Sequence, residues 1–234
     1  MKSKNKIVLL AIIMFFAIAI ISTIIISFIM QKENEVSIAL EQKNEEKQIY
    51  DTIISSASYS ADPTVPDNIL NGINRHIVKI RVISTGEAKF LPTTEFYHNP
   101  YNPCTPIEIE VLENLYGEPI QPVDGKIYIS GGDIKLSNLI TTLDEVDTER
   151  LGLNNLSEEE RNSQYMRYQT KYSYDVQPNN EYIVVVAEIG DGLYKIVDEG
   201  CGIFVHDSSE TTLRNVITNN TIEQTQLVQK AIYN

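Results

Sequence analysis

The stretch that decides the fold is HIVKIRVIS, residues His76–Ser84, in which apolar and polar side chains alternate. Val78 and Ile80 fall on one face of this stretch, whereas Lys79 and Arg81 fall on the other. Alternation with a period of two residues is typical of a β-strand that has one buried face. The sequence therefore predicts that the protein is built on a β-sheet.

Further segments with strand character follow along the chain. Tyr182–Ile189 and Leu193–Val197 flank the sequence GDG at residues 190–192, which is typical of a tight hairpin turn. The remaining predicted strands are Ile107–Leu112, Gly125–Ser130, Tyr165–Val176 and Gly202–His206. Short helices are expected before Tyr165, where Ser157 and Glu160 have the spacing of a capping box. This pattern predicts a mainly β fold, a small antiparallel barrel or sandwich.

The charge of the chain restricts its partners. Its 234 residues include 19 Lys and Arg against 32 Asp and Glu, a formal net charge of −13. Nucleic-acid binding depends on a basic face that neutralises phosphates, so no nucleic-acid partner is expected. A hydrophobic content of 42% is too high for a mainly disordered chain.

An uninterrupted apolar segment, Ile7–Met30, lies near the amino terminus. Its 24 residues include no charged residue, Gly, Pro, Asn or Gln. As a helix it would be about 36 Å long, enough to cross a bilayer. Three lysines at residues 2–6 precede it, and lysine flanks tend to remain cytoplasmic. We therefore expect a single-pass protein of the cell membrane: residues 1–6 a cytoplasmic stub, residues 7–30 an uncleaved transmembrane signal anchor, and the remainder extracytoplasmic.

Three regions are expected beyond the membrane. Residues 31–61 are rich in helix formers and lack Gly and Pro, which predicts a polar helical stalk. Residues 62–207 hold the predicted strands and form the extracytoplasmic β-rich domain. Residues 208–234 form a polar tail, for which a docked helix and a frayed end both remain open. The oligomeric state is also open, because the heptad pattern of the stalk is incomplete.

Three runs of sequence carry a resemblance to a known group of proteins: NPYNPCTPIEIEVLENLYGE, GKIYISGGDIKL and EYIVVVAEIGDGLYKIVDEGCGIFV. They resemble anchored bacterial surface proteins that have small OB-like β-barrel domains. The similarity spans about residues 77–205, and its motifs mark turns and strand ends. The resemblance implies an OB-like barrel. It implies no activity and no site residue, because none is established for the group.

The chain has two cysteines, Cys104 and Cys201, both in turn-like sequence beside predicted strands. Outside the cytoplasm a disulfide between them would close a long loop and would stabilise the fold by about 4–5 kcal/mol in the loop-entropy model. Two buried free thiols are the second alternative, and a reactive cysteine is the third. The positions of the two cysteines in the sequence do not decide which of these three alternatives holds.

The reactive alternative has one concrete form, a sortase-like cysteine transpeptidase. Cys201 would be the nucleophile, Arg214 would stabilise the oxyanion, and His76 or His98 would donate to the amine. The sequence departs from the sortase pattern, because an acidic pair at residues 198–199 stands where a Thr-Leu-x-Thr strand is expected. Neighbouring carboxylates also raise the pKa of a thiol and oppose its activation.

Three tyrosines, Tyr168, Tyr172 and Tyr174, share one face of the predicted strand Tyr165–Val176. If exposed, they would form a stacking platform for glycan rings or for apolar residues of a partner. If buried, they would be the inward face of a barrel that has no tryptophan. They are the predicted ligand-binding residues.

A binding or structural role, in contact with an envelope protein or a cell-wall glycan, is the function that the sequence favours. No metal-ligand spacing or cofactor motif stands out, so neither a metal nor a cofactor is expected and no catalytic residue is assigned. The alternatives are the sortase-like transpeptidase and an envelope sensor or assembly subunit that dimerises through the stalk.

Overall fold

The computed structural model of the chain describes residues 47–55, 61–97, 102–207 and 211–233. The predicted stub, the predicted transmembrane helix and residues 31–46 of the predicted stalk lie outside these ranges. Within them, no helix is both long enough and apolar enough to cross a bilayer.

The described residues form eleven strands and five α-helices, so the prediction of a mainly β fold is confirmed. In chain order the elements are β1 (Gln48–Ile54), α1 (Pro66–Leu70), β2 (Arg75–Thr85), β3 (Cys104–Tyr116), β4 (Lys126–Ser130), β5 (Gly132–Lys135), α2 (Leu136–Ile140), α3 (Glu145–Arg150), α4 (Glu158–Ser163), β6 (Gln164–Gln169), β7 (Glu181–Glu188), β8 (Tyr194–Ile196), β9 (Ile203–His206), β10 (Thr212–Asn215), β11 (Thr221–Glu223) and α5 (Gln224–Tyr233). The capping box at Ser157 and Glu160 is present at the start of α4.

Five of the strands close into a barrel. Going round it, β2 pairs with β3, β3 with β4, β4 with β8, β8 with β7, and β7 with β2 again. All of these pairs are antiparallel except β4–β8. Val78, Ile80 and Val82 point into the barrel and are fully buried, as the alternation in the sequence predicts. Of the two predicted architectures, the barrel is the one observed.

The carboxyl-terminal segment covers the outer face of β2 and β7. Strand β9 pairs with β7 and continues through β10 to β11, and α5 follows directly. Leu213 and Leu227 from this segment pack with Ile77 and Val185 of the barrel in one buried cluster. The folded unit therefore does not end at residue 207, because the tail supplies part of its core.

A second, three-stranded sheet has the order β1-β6-β5. Its strand β1 corrects the predicted stalk: residues 48–54 are not helical but pair with β6 in parallel. The segment QIYDTII is rich in β-branched and aromatic residues, which favour strands over helices. The compact unit accordingly begins at Gln48 rather than near residue 62.

The predicted long strand Tyr165–Val176 is also wrong in its extent, because β6 ends at Gln169. The chain then makes a turn in which the Thr170 amide donates to Ser173 Oγ at 2.8 Å and the Tyr172 amide donates to Thr170 Oγ1 at 3.3 Å. Hydroxyl side chains that bond to nearby backbone amides compete with the ladder of a sheet. That competition ends the strand.

Candidate functional site

Three loops meet at one end of the barrel: residues 91–97 of the β2–β3 loop, residues 117–125 of the β3–β4 loop, and residues 189–193 of the β7–β8 turn. We call this surface the three-loop end. The Thr94 hydroxyl donates to the Ile189 carbonyl oxygen. The Val123 amide donates to the Gly192 carbonyl oxygen at 3.2 Å. The β7–β8 turn is therefore held from both sides.

The β7–β8 turn is the hairpin that the sequence predicts. The Ile189 amide donates to the Leu193 carbonyl at 2.8 Å, and the Leu193 amide donates to the Gly190 carbonyl at 2.9 Å. Gly190 has a φ of +107°, and a Cβ there would lie 3.0 Å from the Thr94 Cβ. Glycine is needed at this position both for the backbone conformation and for the close approach of the β2–β3 loop.

Two apolar side chains remain exposed at the three-loop end, Phe96 at 48% and Val123 at 47%. Beneath them, Leu91 and Tyr97 pack with Tyr128 of β4 and hold the β2–β3 loop against the barrel. The exposed acidic residues of the three loops are Glu95, Glu118, Asp124 and Asp191. The three loops thus carry two exposed apolar side chains and four exposed carboxylates, and the loop that carries Phe96 rests on a buried cluster.

The structure does not bring the three predicted tyrosines together. Tyr168 and Tyr172 are each 8% exposed and belong to different buried clusters. Tyr174 is half-buried and meets the Tyr182 ring edge-on, with 6.3 Å between centroids. They do not share a strand face because β6 ends before Tyr172, so the predicted shared face is wrong. Tyr97 of the β2–β3 loop is also buried.

Cys104 and Cys201 are both free and fully buried, and they belong to different clusters. Burial is the main cause that raises the pKa of the Cys201 thiol to about 12, and the charges of Asp198 and Glu199 add to it. Burial also raises the pKa of Cys104. Of the three alternatives, the structure shows the second, two buried free thiols. Neither thiol is activated as a thiolate.

The other groups of the transpeptidase alternative are engaged elsewhere. Arg214 lies 3.7 Å from the Asp207 carboxylate and donates to Asn219 Oδ1 at 3.1 Å. His76 Nδ1 lies 3.0 Å from the Glu118 carbonyl oxygen, and its ring meets Tyr194 edge-on. His98 lies outside the described residues. This geometry does not favour nucleophilic catalysis at Cys201.

The acidic turn before Cys201 is a feature that the sequence does not signal as a site. Asp198 and Glu199 both have positive φ, +47° and +59°, which is unusual for residues other than glycine. Glu199 is buried and accepts a hydrogen bond from the Thr170 hydroxyl. Among the described residues, no group of three or more His, Cys, Asp or Glu could hold a metal ion.

A comparison with models of protein families finds no match, and a search of curated proteins finds no similar sequence.

Proposed function

We propose that this protein is a membrane-anchored binding module that uses the three-loop end to contact a protein partner outside the cytoplasm. The observation that carries the proposal is the pair of exposed apolar residues, Phe96 and Val123, on two loops that are fixed to the same hairpin turn. Exposed apolar side chains with buried support and a polar surround are typical of protein interfaces.

The order of the strands supports an OB-like barrel. Numbered along the chain, the five barrel strands lie in the order 1-2-3-5-4, with the third and fifth parallel. In OB folds the loop between strands 1 and 2 and the loop between strands 4 and 5 border the ligand surface. In this chain those loops are residues 86–103 and 189–193, and they touch where Thr94 meets Gly190. Two of the three loops at this end thus correspond to loops that border the ligand surface of OB folds.

The chemistry of the surface favours a protein partner with apolar and basic side chains. Four exposed carboxylates lie on the same three loops as the apolar residues, so a basic partner would meet complementary charge. A nucleic acid would be repelled by the same carboxylates. Glycan rings usually stack on tyrosine or tryptophan, whereas the exposed aromatic ring here is Phe96.

The location of the protein is part of the proposal. The apolar run at residues 7–30 and the lysines before it support a single span with the amino terminus in the cytoplasm. The folded unit that begins at Gln48 would then lie outside the cytoplasm.

Affinity capture of the full chain from its native membranes tests the proposal. Phe96→Asp combined with Val123→Asp should abolish co-purification of the partner. Val146→Asp is the matched control, because Val146 is 72% exposed on α3, outside the three loops. A partner that is retained by the double variant, or lost equally from the control, would refute the assignment of the surface. Retention of purified cell-wall glycan by the wild-type chain and its loss from the double variant would replace the protein partner with a glycan.

A further inference from the structure

A row of side chains crosses three strands on the outside of the barrel. Arg75 of β2 pairs directly with Ala187 of β7, and Ala187 pairs directly with Lys195 of β8. Residues that oppose each other in adjacent strands project to the same face of a sheet. The two cations therefore flank a small alanine, with their backbones about 10 Å apart, two strand spacings. We call these three residues the cation row.

Arg75 differs from every other arginine of the chain. All six arginines lie in described ranges, and five of them form an ion pair or a hydrogen bond: Arg81, Arg150, Arg161, Arg167 and Arg214. Within the described part of the chain, Arg75 has neither, and its Nε is buried without a hydrogen-bond partner. Nε is shielded from any ligand, whereas Nη1 and Nη2 are not buried in this way and likewise have no acceptor in the described structure, so a ligand could bond to them.

The guanidinium is also held in place. A Cβ at Gly72 would lie 2.9 Å from both Nε and Nη2 of Arg75, so the backbone of residue 72 packs directly against the guanidinium. Burial lowers the pKa of Arg75, and the nearby Asp198 carboxylate opposes this effect. The Nε side of the guanidinium is thus covered, while the residue as a whole stays partly exposed and lacks acceptors in the described structure.

The charged groups around the cation row are the two cations and the carboxyls of Asp198 and Glu199. Arg75 and Lys195 both act on the Asp198 carboxyl, lowering its pKa, although burial raises it by more. No ion pair within 4.0 Å joins Asp198 to either cation in the described structure. Glu199 is occupied by the Thr170 hydroxyl. Glu188 follows Ala187 on β7, and its side chain projects to the opposite face, near Tyr194.

We infer that the cation row is a binding site for a ligand that bears one oxyanion group, a carboxylate or a phosphate, seated over Ala187 between Arg75 and Lys195. The planar guanidinium offers paired N–H donors that match such a group, and the lysine adds a charge from the other side. Ala187 is partly buried against the cluster that contains Ile77 and Val185, and its small side chain takes up little of the space between the two long ones. The inference is independent of the three-loop end, since it uses different residues.

Nuclear magnetic resonance of the full chain in neutral detergent, with 15N-labelled arginine, tests the site directly. Six Nε–H signals are expected, and those of Arg81, Arg167 and Arg214 serve as internal controls because carboxylates already face them. Inorganic phosphate and acetate are titrated separately against chloride at constant ionic strength. The Arg75 signal should shift with saturation for at least one of the two ions, and the ion that binds more tightly identifies the group.

Three variants decide the outcome. Lys195→Gln should weaken binding by about tenfold, the value of one charge-assisted hydrogen bond. Asp198→Asn should tighten it, because a competing negative charge is removed. Lys126→Gln removes the same charge from β4 outside the row and should change nothing. An Arg75 signal that does not saturate, that shifts equally in Lys195→Gln, or that merely follows the three control arginines would overturn the inference.

Discussion

The side-chain amide of Asn215 donates a hydrogen bond of 2.7 Å to the backbone carbonyl of Cys201. Asn215 is 4% exposed, and it also donates to the Ile203 carbonyl at 3.2 Å. Its Oδ1 accepts from the amides of Ile217 and Thr218, each at 3.0 Å. One buried side chain therefore joins the acidic turn to the strand that carries the carboxyl-terminal segment.

Asn215→Ala should lower the free energy of unfolding by about 2–4 kcal/mol, because it leaves buried carbonyl and amide groups without partners. Urea denaturation of the full chain in detergent, followed by tyrosine fluorescence, measures the loss. Asn220→Ala is the matched control, since Asn220 is exposed and only its backbone is used. Equal losses in the two variants would show that the Asn215 side chain does not stabilise the turn.

Asp198→Asn should stabilise the protein at pH 7 and have little effect near pH 3.5. Burial raises the pKa of Asp198 above its usual value in the unfolded chain. At a pH below the pKa that this carboxyl has in the unfolded chain, it is protonated in both the folded and the unfolded state. It then has no effect on the free energy of unfolding. As the pH rises through the pKa of the folded state, ionisation of the buried carboxyl lowers the free energy of unfolding. Asparagine tolerates the left-handed backbone and removes the charge.

The measurement for Asp198 is the difference in free energy of unfolding between variant and wild type at the two pH values. Asp191→Asn is the control, because Asp191 also has a positive φ but is exposed. A stabilisation by Asp198→Asn that is the same at both pH values would show that ionisation is not its cause.

Two adjacent isoleucines of β1 provide a matched pair. Ile53 is half-buried against the cluster beneath the three-stranded sheet, whereas Ile54 is 78% exposed. Ile53→Ala should cost about 1–2 kcal/mol and Ile54→Ala less than about 0.5 kcal/mol in urea denaturation. Equal small effects would mean that β1 does not dock on β6, and the predicted helical stalk would then extend to the barrel domain.

Both thiols should resist modification in the native protein. A thiol with a raised pKa has little thiolate at pH 8, and both Cys104 and Cys201 are inaccessible. Iodoacetamide labelling, quantified by mass spectrometry, should proceed only as fast as the protein unfolds. Rapid labelling of Cys201 alone at pH 7.5 would contradict this account and restore the reactive cysteine.

The parts of the fold that the sequence predicts are those with a strong local signal. Strand β2 follows from alternation between residues 76 and 84, and the β7–β8 hairpin follows from its GDG turn. Strand β1 was predicted as helix because good helix formers precede it. Its conformation depends on pairing with β6, far along the chain.

The candidate site depends on contacts that leave no local pattern. Thr94 reaches the β7–β8 turn only because the long β2–β3 loop folds across the barrel. The positive φ of Glu199 is imposed by its surroundings, since a glutamate rarely adopts that conformation. The cation row exists only through strand register, which places Arg75 and Lys195 on either side of Ala187.

Photo-crosslinking in intact cells tests the central claim most directly. A benzoylphenylalanine replaces Phe96 in the full chain, and a second variant carries it at Val146, which is more exposed than Phe96 and lies on α3. The account predicts one discrete protein adduct from position 96, formed outside the cytoplasm, and none from position 146. The same adducts from both positions, or none from position 96, would contradict the assignment of the three-loop end as a binding surface.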